Sequence, residues 1–179
     1  MTPTFRPFAL VLALALAAGT VLAAETKGFG ADFSAKAVAA DTGLPDYPGA
    51  VPQRDKGEDS GSVNLGLWGG SFGLRVVVAK YAVGDDLETV AQFYRRALAR
   101  HGEVLDCSEP PPRPPKGADG KSRRERSKAL TCDDGKPEPG RRLYKVGTPQ
   151  LQRAVSLRPD PSGAPGTHFQ LVMIENSNP

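Results

Sequence analysis

A single stretch of this chain, "DDLETVAQFYRRALARHG" from Asp85 to Gly102, repeats its apolar residues at helical spacing, whereas the other patterned stretches alternate with period two. That contrast confines the chain to a sheet with one helix to cover it. Leu87, Val90, Ala91, Tyr94, Ala97 and Leu98 form the helix's apolar stripe, with Phe93 off its centre. Asp85 is the expected N-cap, with Glu88 three residues on in capping-box spacing, and Gly102 the expected stop. His101 reads as a donor or cation near the negative pole of the helix. Before the helix, "SVNLGLW" and "FGLRVVVAKYAV" alternate as strands around a Gly69–Gly70 turn, and "PDYPGAVP", with its prolines, suits only an edge strand. After it come "EVLDC", "KALTC", "RRLYKVG", "LQRAVSLRP" and "THFQLVMIE", joined by short connections rich in Gly, Pro, Asp and Ser. In "LQRAVSLRP", Arg153 interrupts the apolar face and suggests an edge strand or a partly covered face. The expected fold is α+β: a hairpin, one helix, then a four- or five-stranded antiparallel sheet with the helix on one face.

The N-terminus reads as a secretory signal peptide. "MTPTFRP" carries one cation, "FALVLALALAA" is an apolar run shorter than the ~20 residues of a membrane span, and small residues follow. Cleavage is expected after Ala23, with Ala24 the alternative, and no Cys follows the run to take a lipid anchor. Residues 24–44 are small and polar and read as a flexible lead-in, leaving 45–179 as one domain with no transmembrane anchor in the mature chain. Export places the two cysteines, Cys107 and Cys132, in an oxidising compartment, where they should pair across facing strands at the base of a hairpin. The protein is therefore expected to be periplasmic or secreted.

The chemistry on offer is sparse. Gly69, Ser71 and Gly73 have the G-x-S-x-G spacing of a hydrolase nucleophile, and Ser71, Asp134 and His168 supply a serine–acid–histidine order. A nucleophile elbow needs a helix after its serine, yet Ser71 precedes a strand-like run, so it reads as a turn residue with no catalytic role. His168 falls on the side of its strand opposite Phe169, Leu171 and Met173, and reads as a second-face residue. Two histidines and no C-x-x-C argue against a metal centre, and the chain lacks the Gly-rich and metal-binding motifs that would call for a cofactor.

The most unusual composition lies between the cysteines. Residues 109–128 hold Arg113, Lys116, Lys121, Arg123, Arg124, Arg126 and Lys128 against three acids, a net +4 that exceeds the +3 of the whole chain. Five prolines between Pro110 and Pro115 stiffen its start, and the rest has nothing apolar to bury, so it is expected to be a solvated loop. Its cations are candidate contacts for an anionic envelope component or an envelope protein. Nucleic acid is not expected, because the loop has no aromatic side chain on which bases could stack.

"YPGA" (Tyr47 to Ala50), a strand pair and then "VAQFYRRAL" (Val90 to Leu98) resemble small exported bacterial domains of unknown function with this order of elements. The resemblance implies an exported envelope or periplasmic protein and carries no catalytic or ligand residue. Two function classes follow, a binding or interaction module and a structural or accessory exported protein, with a serine hydrolase acting through Ser71 as the third.

Overall fold

The computed structural model describes residues 28–53, 61–109, 130–132 and 139–177. The leader, the seven loop cations from Arg113 to Lys128 and Asp134 lie outside the described residues. The fold is α+β. Its strands are β1 (Gly30–Ser34), β2 (Val51–Pro52), β3 (Ser62–Gly69), β4 (Phe72–Val83), β5 (Leu105–Asp106), β6 (Arg142–Gly147), β7 (Leu151–Pro159) and β8 (Thr167–Asn176), and its one α-helix is α1 (Leu87–Leu98). They form one antiparallel sheet in the order β1-β3-β4-β8-β7-β6-β5, with β2 paired to the far end of β4.

The sheet is larger than the four or five strands expected, because the β3–β4 hairpin joins the later strands through the β4–β8 pairing and because β1, held by backbone pairing alone, and the expected edge strand β2 extend it. Residues 24–44 are correspondingly not all lead-in. From Gly30 the chain pairs with β3, and a 3-10 turn at Ala39–Thr42 then buries Ala37, Ala39, Thr42 and Leu44. Nor is β7 an edge: it lies between β8 and β6, and Arg153 is accommodated by donating from Nε to the Thr42 carbonyl at 2.9 Å.

The β3–β4 turn is Gly70–Ser71, since Gly69 still pairs with Phe72. Only Gly70 has positive φ, 61°, the requirement of a type II′ turn at its first central residue. "YPGA" is a type II turn: Pro48 occupies the position whose φ proline presets, Gly49 has φ 76°, and the Ala50 amide donates to the Tyr47 carbonyl at 3.1 Å. Asp86, not Asp85, caps α1. Its Oδ1 accepts from the amides of Glu88 and Thr89 at 3.0 Å, and its Oδ2 from the Thr89 hydroxyl at 2.6 Å. These bonds hold its carboxyl below the usual range.

The core lies between α1 and one face of the sheet. Val90, Ala91, Tyr94, Ala97 and Leu98 pack with Ala79, Tyr81, Tyr144, Val146, Val155, Leu157, Phe169 and Leu171. Phe93 widens the buried side of the helix, its ring 4.9 Å from that of Tyr47 and edge-on to it. Phe169 is the hub of the aromatic cluster, 5.4 Å from Tyr81, 5.2 Å from Tyr94 and 6.1 Å from Tyr47.

Cys107 and Cys132 form a disulfide, with their Cα atoms 5.3 Å apart. It does not close a hairpin of two strands. "EVLDC" contributes only β5, whose partner is β6, and Leu130 to Cys132 are not in a strand. The Cys107 amide donates to the Leu143 carbonyl at 2.7 Å, and Lys145 Nζ reaches the Thr131 carbonyl at 3.3 Å. The bridge thus fastens residues 130–132 beside β6.

Candidate functional site on the open sheet face

Side chains alternate across a sheet, so the residues that do not face α1 line the opposite surface in cross-strand rows. One row runs Phe33, Leu65, Val76, Ile174, Gln152; the next runs Val63, Val78, Val172, Ala154, Lys145. Toward the β3–β4 turn, Leu67 pairs with Leu74 and Gly69 with Phe72. Toward the other end the chemistry changes. Lys80, Gln170 and Ser156 form one row, and Val51, Ala82, His168 and Arg158 form the last. None of the apolar residues on this surface is fully buried, and Phe33 is 66% exposed, Val51 56% and Phe72 39%.

A pocket of about 170 Å³ lies over the polar rows, lined by Gln53, Lys80, Arg141, Ser156, Arg158 and His168 among others. Lys80 and Arg141 already make interactions of their own. His168 Nε2 lies 3.4 Å from Asp160 Oδ2, and Asp160 Oδ1 accepts from the Ser162 hydroxyl at 2.6 Å and amide at 2.8 Å. Those bonds from Ser162, with His168 behind them, hold the Asp160 carboxyl below the usual range. The acid therefore stays ionised and orients the imidazole, and Arg158 adds a planar, permanently charged donor in the same row. This arrangement suits the recognition of an anion.

No protein family, curated protein or solved structure matches this chain. Function must be argued from its own geometry.

The structure overturns a triad built on Ser71. Ser71 lies in the turn before Phe72, while His168 pairs with Ala82 at the opposite end of β4. Ten residues of extended strand separate those rows, roughly 34 Å at the usual rise. His168, as expected, faces away from buried Phe169, Leu171 and Met173. His101 contacts the Gly43 carbonyl with Nε2 at 3.1 Å, which ties the helix end to the 3-10 turn. Among the described residues, no three His, Cys, Asp or Glu side chains gather as metal ligands, and no helix is long and apolar enough to cross a membrane. A pocket of about 560 Å³ along the outer side of α1, by Arg95, Arg96 and Glu103, brings no nucleophile or paired acid together.

Sequence reasoning placed the anion contact on the segment between the cysteines and missed the row of His168 and Arg158. The signal was present as the alternation of "THFQLVMIE" and "LQRAVSLRP", but it needs the β7–β8 register to put the two residues side by side.

Proposed function

We propose that this chain is an exported binding module, periplasmic or secreted, that recognises an anionic component of the bacterial envelope and performs no catalysis. The observation that carries the reading is the second face of the sheet, where apolar rows and, two rows beyond Val78, the Arg158–His168 row share one surface with no helix over them among the described residues. A disulfide is compatible with an oxidising compartment, which agrees with the leader-like N-terminus. The basic segment 109–128 departs from Glu109 and returns at Leu130, close to β5 and β6, and supplies further positive charge to the same molecule. The resemblance to small exported domains points to the same compartment.

The test is co-sedimentation of the mature, disulfide-bonded chain with an envelope fraction. Retention should be strong at low salt and fall steeply by physiological ionic strength, as screening over about 8–10 Å takes hold. Retention that ignores salt would argue against an anionic target. No retention at any salt would favour a structural or accessory role without a ligand.

A further inference from the structure

We infer that the open sheet face holds a single anionic lipid, its acyl chain along β3, β4 and β8 and its head group at Arg158 and His168. This rests on the binding-module reading above and names the ligand. The apolar rows need a covering layer, because Val63, Leu65, Leu67, Phe72, Leu74, Val76, Val78, Val172 and Ile174 share one face without being fully buried. Residues 24–27, 54–60, 110–129 and 133–138, which lie outside the described residues, contain no Val, Leu, Ile, Met, Phe, Tyr or Trp.

Length and charge choose the occupant. From Phe72 to Val78 the apolar rows extend about 20 Å along β4, comparable to the roughly 15 Å that one leaflet contributes to a bilayer's hydrocarbon core. Lys145, at the β6 end of the second row, is buried and donates to the Thr131 carbonyl, and beyond the apolar rows positive charge stands at one end, on Lys80 and Arg158. Arg158 and His168 close the strip two rows beyond Val78, with Gln170 and Ser156 between as neutral donors and acceptors. Asp160 is the acid paired with His168, and Lys80, already engaged, adds positive charge without having to be free. A one-ended apolar strip with a cationic terminus matches an amphiphile with one acidic end. A second copy laid over the whole face would instead set Arg158 and His168 against themselves or over the partner's apolar rows.

The experiment is native mass spectrometry of the mature, oxidised chain after incubation with phosphatidylglycerol vesicles, phosphatidylcholine vesicles or glycerol phosphate. One phosphatidylglycerol should remain per chain, phosphatidylcholine should bind at least tenfold more weakly, and glycerol phosphate should not displace the lipid. Val76→Asp and Ile174→Asp should each reduce lipid occupancy at least tenfold, and Arg158→Glu should abolish the preference for the anionic head group. Because an acid at Val76 could unfold the sheet, Phe33→Asp, at a largely exposed position, provides the second arm and should weaken occupancy with the fold intact. Equal occupancy by both lipids, displacement by glycerol phosphate, or a lipid-free dimer would overturn the inference. If the wild-type chain sediments with envelopes but carries no lipid, the lipid inference falls and the binding-module reading stands; if it does neither, both fall.

Discussion

Three tyrosine hydroxyls fasten the segment before β2 to the rest of the molecule. Tyr81 accepts from the buried Ala39 amide at 2.9 Å, Tyr94 donates to the Pro45 carbonyl at 3.3 Å, and Tyr47 donates to Asp85 Oδ2 at 2.6 Å. Tyr81→Phe leaves the Ala39 amide without its partner, so it should destabilise the fold by about 1–3 kcal/mol in urea melts; a change within error would mean the segment is held by packing alone. Burial and the neighbouring Asp85 carboxylate push the Tyr47 phenol up to about 12. Its contribution to stability is therefore complete below the ordinary phenol value near 10 and is lost as pH rises from there toward 12. The urea midpoint of Tyr47→Phe should consequently fall less steeply than that of the wild type between pH 9.5 and 11.5, and parallel curves would show that Tyr47 does not report the alkaline transition. None of these partners is visible in the sequence. Asp85 and Asp86 are adjacent acids at the helix start; Asp86 takes the cap, and the Asp85 carboxylate accepts from Tyr47.

Among the elements, α1 is legible because its stripe repeats over three turns, and Leu98 and Val90 on that stripe have no exposed surface. Leu98→Ala should cost about 2–5 kcal/mol by loss of buried contacts and the cavity left behind, measured as a shift in thermal or urea midpoint. A cost below 1 kcal/mol would mean that the helix does not cover the core. β8 is legible for the same reason, its buried residues falling at every second position from Thr167 to Met173. β1 is not: "GADFS" has no buried residue, and what holds it is a five-residue register against β3. β5 is only two residues long and "KALTC" alternates without becoming a strand at its described end, so short runs misled in both directions. The candidate site was half legible, since alternation puts His168 on the second face but only pairing with β7 brings Arg158 beside it.

For the molecule as a whole, the disulfide closes a loop with a sequence separation of 25, so exchanging both cysteines for serine should cost about 3 kcal/mol in the chain-entropy picture. Thiol titration of the unfolded, unreduced protein should find no free thiol, and two would refute the bridge. The mature chain recovered from the producing cell should have the mass of a protein starting at Ala24 or Glu25, and a full-length species would refute cleavage. A different consequence follows from the place of β8, the last strand in sequence yet set between β4 and β7. Without Thr167–Asn176, β1, β3 and β4 on one side and β6 and β7 on the other share no strand pairing, and they meet through α1 and the Arg153–Thr42 contact instead of through the sheet. Such non-local pairing is slow, because loop closure precedes the contacts that reward it. The two halves of the sheet therefore become one surface only when this strand, distant from β4 in sequence, is laid between them.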